Sequence, residues 1–272
     1  MTDSPPAAAA PVVPRPAATT LILRDGDAGL EVLMVRRSPT ASFMPGAYVF
    51  PGGAVDADDG GPAALAGIDE DAQALERRIG AVTHVGPQAP AFAVAALREC
   101  FEECGLWLLP PGHAEPVQAL LLSLRMLLHG GHHLAGLAAG CGLPLATSAL
   151  QPWAHWCTPV GLPKRFDTLF FVVAAPPGQE PSVDAGETTT LAWVHPPAAL
   201  DAHARGDFPM EFATVSTVRS LAPHAGGTVA ALLAHAAALT DLPAIHPRLK
   251  RDAEGRIRGV LMPGDDGYDQ AA

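Results

Sequence analysis

The chain has 272 residues, 49% of them apolar, which is enough for a substantial core in one elaborated domain. Seventeen Lys and Arg stand against 28 Asp and Glu, a net charge of −11 with histidine neutral, and this argues against a general binder of nucleic-acid backbone. A phosphorylated small molecule stays compatible with that balance, because bound cations can invert the local field.

The opening residues lack a cationic segment followed by an apolar run, and no stretch of 18 apolar residues occurs, so neither a secretory signal nor a membrane span is expected. Four cysteines without a CxxC pair suit buried thiols in a cytoplasmic protein. Residues 1–18, rich in Pro and Ala, read as a disordered tail. Residues 20–23 and 31–35 read as strands around the turn residues Asp25, Gly26 and Asp27. A loop leads to a short strand over 48–50, ending on Pro51, Gly52 and Gly53. The polar, Gly-punctuated stretch 54–90 has helical potential at 69–78, and 91–104 is the clearest helix, stopped by Gly105. A helix is expected over 116–128, strands over 154–159, 165–174 and 188–195, helices over 197–205, 211–221 and 228–239, and a hairpin over 248–262 turning at Glu254 and Gly255. Strands and helices mix without regular alternation, which predicts an α+β fold.

The chemistry concentrates on the 91–104 helix. At about 100° per residue, with Glu99 at zero, Glu102 falls near 300° and Glu103 near 40°, so three carboxylates share one face. The opposite face, with Leu97, Cys100, Phe101 and Cys104, is apolar. As a solvated surface this acidic face is unfavourable. Glu99 meets Glu102 and Glu103 as like charges at i,i+3 and i,i+4, and all three lie toward the helix C-terminus, where the macrodipole disfavours anions. Divalent cations against the face would relieve both effects, and clustered carboxylates suit Mg²⁺ or Mn²⁺.

Residues 98–106, RECFEECGL, resemble the second half of the Nudix hydrolase signature, G-x5-E-x7-R-E-U-x-E-E-x-G-U, where U is a bulky aliphatic; FPGG at 50–53 resembles the lead-in to its first half. Arg98, Glu99, Glu102, Glu103, Gly105 and Leu106 match, while Cys100 stands at an aliphatic position. Asp59 stands where the signature's first Glu would, and Arg98 follows Gly53 by 45 positions instead of 14. This split box is similar to that of the acyl-coenzyme A diphosphatase branch, with a looser similarity over 165–194.

The resemblance implies a mixed β-sheet sandwiched between helices, with a domain over 19–205, an insertion at about 54–90, and a C-terminal helical extension over 206–272 packed on the same domain. It implies that Glu99, Glu102 and Glu103, with the Gly52 carbonyl, hold Mg²⁺ or Mn²⁺, that Arg98 orients Glu99, and that a carboxylate of this cluster or Glu187 accepts the proton. The implied activity is metal-dependent cleavage of a nucleoside diphosphate derivative. Coenzyme A or acyl-CoA is the favoured substrate; ADP-ribose, a dinucleotide, or a catalytically silent binding module of the same fold are the alternatives.

Other signals are weaker. Asp56, Asp58 and Asp59 fail the EF-hand spacing, since its fifth position is Gly60 and its twelfth Gly67; Asp59 reads first as a solvated loop acid that can also back up Arg98. His129, His132 and His133 near Cys141 lack a structural zinc spacing. The pairs Arg36-Arg37 and Lys164-Arg165 are candidates for substrate phosphates. Trp153, Trp156, Phe170 and Phe171 at strand positions read as core more than as a stacking platform.

Overall fold

The computed structural model describes residues 12–40, 44–183 and 188–271. The chain opens with β1 (Arg15–Gly26) and β2 (Gly29–Arg37), followed by the short strands β3 (Tyr48–Val49) and β4 (Gly52–Ala54). The segment expected to be an insertion folds into α1 (Pro62–Gly67), α2 (Ala72–Leu75) and α3 (Ala81–Thr83), joined by single helical turns. Three longer helices follow, α4 (Ala89–Cys104), α5 (Gln118–His129) and α6 (Leu134–Cys141). Next come β5 (Gln151–Cys157), β6 (Phe166–Ala174) and β7 (Thr188–Val194). The chain then forms α7 (Pro196–Arg205), α8 (Phe212–Leu221), α9 (Val229–Ala237) and the hairpin β8 (Arg248–Arg251) and β9 (Ile257–Leu261).

Among the described residues the first seven strands make one open mixed sheet in the order β3-β2-β1-β6-β5, with β4 on β1 and β7 on β2. β1 and β6 run parallel and the other pairs antiparallel. Strand alternation then sorts the apolar residues into two cores. Ile22, Leu33, Val35, Leu169 and Phe171 face one side, where they meet Phe92, Ala96 and Phe101 of α4. Leu21, Leu23, Val32, Met34 and Val172 face the other, beneath Val218 and Leu221 of α8 and Leu232 of α9. A sheet buried on both faces needs near-continuous apolar runs, and β1 and β2 have them. The fold is α+β, a mixed sheet between two helical layers.

Several boundaries differ from the sequence reading. β1 starts at Arg15, inside the segment expected to be a tail, because β4 and β6 pair with both edges of its first half; residues 1–11 of that segment lie outside the described residues. β5 starts at Gln151, ahead of the predicted 154. Pro152 weakens a strand signal, yet it is tolerated on this edge strand beside a bulge. α6 has two glycines, Gly136 and Gly140, which depress its intrinsic propensity. It forms by burying Leu134, Leu137 and Ala138 against α1 and the first core. No helix among the described residues is long and apolar enough to cross a membrane.

Candidate active site

The last two turns of α4 carry the acidic face. The helix ends where Gly105 adopts a left-handed φ of 70° and its N–H reaches the Phe101 carbonyl at 2.9 Å. Its Cys100–Phe101–Cys104 side is buried in the first core, and this fixes the rotation that turns the carboxylates toward β4. Glu103 is only 5% exposed, and its Oε2 accepts the Gly52 N–H at 3.1 Å. A Cβ on Gly53 would overlap the Glu99 carboxylate, and one on Gly52 would overlap Ala18 and Thr19. The two glycines are therefore the residues that let β4 lie directly against the acids.

Arg98 organises the cluster. Its Nε and Nη2 donate to the two oxygens of Asp59, both at 2.9 Å, in the bidentate geometry that suits a guanidinium. Nη2 also donates to the Ala54 carbonyl at 2.9 Å, while Nη1 donates to Glu99 at 2.8 Å and Glu102 at 3.0 Å. Asp59 is buried and accepts the Asp56 N–H as well, so it is a fixed anchor for Arg98 and not the solvated loop acid of the first reading. The cause is tertiary: a 3₁₀ turn at Ala57–Gly60 packs onto α4 and delivers the side chain there. Burial alone would lower the Arg98 pKa; the Asp59 hydrogen bond and the charges of Glu99, Asp59 and Glu102 outweigh it and hold the guanidinium well above its ordinary value. Burial pushes the Glu99 carboxyl up to about 7, with Arg98 pulling down and Glu102 pushing up. Glu102 is raised too, chiefly by burial.

All three glutamates open into a cleft of about 1100 Å³. Its other boundaries include Gly52, Gly53, His129, Arg15, Arg37 and Lys164, and a run of aromatic residues from Trp156 to Phe212. Of the paired bases, Arg37 and Lys164 line the cleft. Arg36 does not; it donates to the Gly46 carbonyl at 3.1 Å and lies over the Tyr48 ring. Arg165 is buried and holds backbone, donating to the Thr158 and Val12 carbonyls. Adjacent residues of a strand point to opposite sides, so Arg37 of β2 reaches the cleft and Arg36 does not; Lys164 stands in the bend ahead of β6, and Arg165 next to it turns inward. The same alternation brings Trp156 and Phe170 to the cleft while Phe171 enters the core. Glu187 lies outside the described residues.

Arg15 and His129 were not foreseen as cleft residues. His129 ends α5, and its Nε2 lies 3.2 Å from the Glu102 carbonyl oxygen, which also accepts from Arg125 Nε at 2.9 Å. Nothing in the spacing of the sequence marks this helix-to-helix meeting. His133 pairs with Asp58 at 3.0 Å instead of joining His129. Among the described residues no group of three His, Cys, Asp or Glu is already converged as metal ligands. The donor chemistry of the acidic face nevertheless fits a hard divalent cation. Three carboxylates crowd one helix face, and the single guanidinium beside them is shared by Glu99, Glu102 and Asp59, so the acids outnumber the cation that pairs with them.

A mixed sheet between helices, with a Gly-Gly strand laid on an Arg-Glu-x-x-Glu-Glu helix, is the arrangement of a Nudix hydrolase. The family described as NUDT19 Nudix domain matches residues 72–218. The chain belongs to that family. It is 29% identical to an acyl-coenzyme A diphosphatase NUDT19 of Homo sapiens, over 88% of this chain and 72% of that protein, and 30% identical to one of Gallus gallus, over 65% and 57%. The chain thus spans less than two thirds of the second relative's length. Among solved structures, a NUDIX hydrolase from Alicyclobacillus acidocaldarius superposes with a TM-score of 0.61 at 29% identity, covering 79% of this chain and 94% of that one. Family membership makes the protein a Nudix-type hydrolase, a class that generally uses divalent metal ions.

Proposed function

We propose that the protein hydrolyses the diphosphate of a nucleoside diphosphate derivative, with coenzyme A or acyl-CoA as substrate and Mg²⁺ or Mn²⁺ as cofactor, giving 3′,5′-ADP and (acyl-)phosphopantetheine. The observation that carries the hydrolytic reading is the Arg98 hub, which holds Glu99 and Glu102 at the wall of a cleft while Glu103 is fixed by the Gly52 N–H. The substrate is supported by the names of the human and chicken relatives.

Glu99, Glu102 and Glu103, with the Gly52 carbonyl, would hold the ion. When bound, the ion lowers the pKa of water and neutralises charge on the leaving phosphate. The protein's own groups do the rest. Arg98 keeps two carboxylates on one side of the cleft and is itself held by Asp59. Arg37 and Lys164 offer positive charge to substrate phosphates. A carboxylate of the cluster, or Glu187, accepts the proton of the attacking water. The four free cysteines suit a reducing compartment, and a cytoplasmic location belongs to the same reading.

Product chromatography with CoA, ADP-ribose and NADH, with and without Mg²⁺, tests this. The expected result is cleavage of CoA that stops on chelation and falls at least about a hundredfold in kcat for Glu102→Gln or Glu103→Gln. Turnover that survives chelation overturns the metal mechanism. Preferential cleavage of ADP-ribose or NADH overturns the substrate, and CoA binding without product would make the protein a binding module.

A further inference from the structure

Two histidines meet on the helical layer formed by α8 and α9. His224 ends the 3₁₀ turn Ala222–His224 that continues α8, and His235 lies in the last turn of α9. Both stand outside the lining of the cleft. The link between them is pinned to the β1–β2 hairpin at two points. The Leu30 N–H donates to the Ala225 carbonyl and the Val229 N–H to Asp25 Oδ1, each at 2.8 Å. Gly29, at a φ of 117°, makes the first pin possible, since a Cβ there would overlap the Ala225 carbonyl oxygen.

The two imidazole rings stand 4.7 Å apart, centre to centre, at a tilt of 45° that is neither stacked nor edge to face. Among the described residues nothing hydrogen-bonds to a ring nitrogen of either one. A ring that ligates zinc through nitrogen at about 2.1 Å has its centre about 3.1 Å from the ion, so two such rings at about 90–110° lie about 4.5–5 Å apart. The observed spacing fits. Burial and the charge of His235 hold His224 below its ordinary pKa, which favours the neutral, ligating imidazole at pH 7. His235 also sits at the C-terminal end of α9, where the helix dipole favours a cation.

We infer that His224 and His235 form a two-histidine site for a nitrogen-seeking divalent transition ion, Zn²⁺ or the more tightly held Cu²⁺, with water completing the coordination. Imidazole selects these ions over Mg²⁺, so the site is chemically distinct from the carboxylate face of α4. The bound ion ties the turn after α8 to the end of α9 and stabilises the layer that covers this face of the sheet.

Trp153 reports on the site, because its ring lies edge-on to both histidines, 5.5 Å from His224 and 6.0 Å from His235. The experiment titrates Zn²⁺ and, separately, Cu²⁺ into the full chain, with excess Mg²⁺ present to occupy the acidic face. Zn²⁺ is expected to raise Tm by about 2–4 °C. Paramagnetic Cu²⁺ should quench the Trp153 share of the emission and show hyperfine structure from two ring nitrogens in its electron paramagnetic resonance spectrum. Trp153→Phe should remove the quench and keep that spectrum. His224→Gln and His235→Gln, at half-buried and exposed positions, should each weaken binding at least about tenfold and lose the two-nitrogen signature, with metal-free melts matching the wild type. Quenching and Zn²⁺ stabilisation that persist unchanged in both histidine variants place the ion elsewhere and overturn the site. So does a wild type that shows neither effect, or one whose Cu²⁺ spectrum has a single nitrogen.

Discussion

Glu99 illustrates how one residue's environment sets a measurable property of the whole protein. In the unfolded chain its carboxyl ionises near 4.5; in the metal-free fold it holds its proton up to about 7. Between these values the folded state binds more protons, so stability falls as pH rises from about 4.5 to about 7 and then levels off. The full effect is at most about 3 kcal/mol. Thermal melts of chelated protein should therefore show Tm dropping across that window, and Glu99→Gln should flatten the drop. Added Mg²⁺ should raise Tm more at pH 8 than at pH 5, because a cation favours the ionised carboxylates. A Tm that rises between pH 5 and 7 without metal would contradict the buried position of Glu99.

At the scale of elements, α4 does its work through what lands on it. The 3₁₀ turn at Ala57–Gly60 delivers Asp59 to Arg98, and β4 lays Gly52 and Gly53 against Glu103 and Glu99. Breaking a buried pair strands the remaining charge at a cost of about 3–5 kcal/mol. Asp59→Asn is expected to lower Tm by several degrees and to reduce kcat/KM about tenfold or more, whereas Asp56→Asn, whose carboxylate stands 3.7 Å from Arg98 and is mostly exposed, should change either very little. Equal effects of the two would mean that Asp59 is not the anchor. The acidic face of α4 was legible in the sequence because a helix wheel is a local property, and so was its end at Gly105. Asp59's role was not, since it stands 39 positions before Arg98 and only the packing of the Ala57–Gly60 turn on α4 brings them together. Arg36 and Arg165 could be told from Arg37 and Lys164 only once the strands were placed in the sheet.

For the molecule as a whole, the two cores depend on different parts of the chain. Helix α4, with Ala64, Leu75 and Ile79 of the segment before it, covers one face of the sheet, and α8 and α9 cover the other. Ending the chain after Arg205 would expose Leu21, Leu23, Val32, Met34 and Val172, all of them fully buried, as one contiguous apolar surface. Such a truncation is expected to lose its cooperative thermal transition and to aggregate. A soluble, sharply melting fragment would show that the C-terminal helices are an accessory and not half of the fold.

The parallel pairing of β1 with β6 also bears on how the protein is assembled during synthesis. Arg15 finds its register partner in Phe166, so an early strand of the nascent chain must wait for a neighbour made much later. At typical elongation rates the delay is on the order of ten seconds. Throughout it the β1–β2 hairpin keeps an open edge of the kind that invites pairing between chains. Crowded expression should therefore favour misassembly at that edge, and slower initiation or a holding chaperone should raise the yield of active protein.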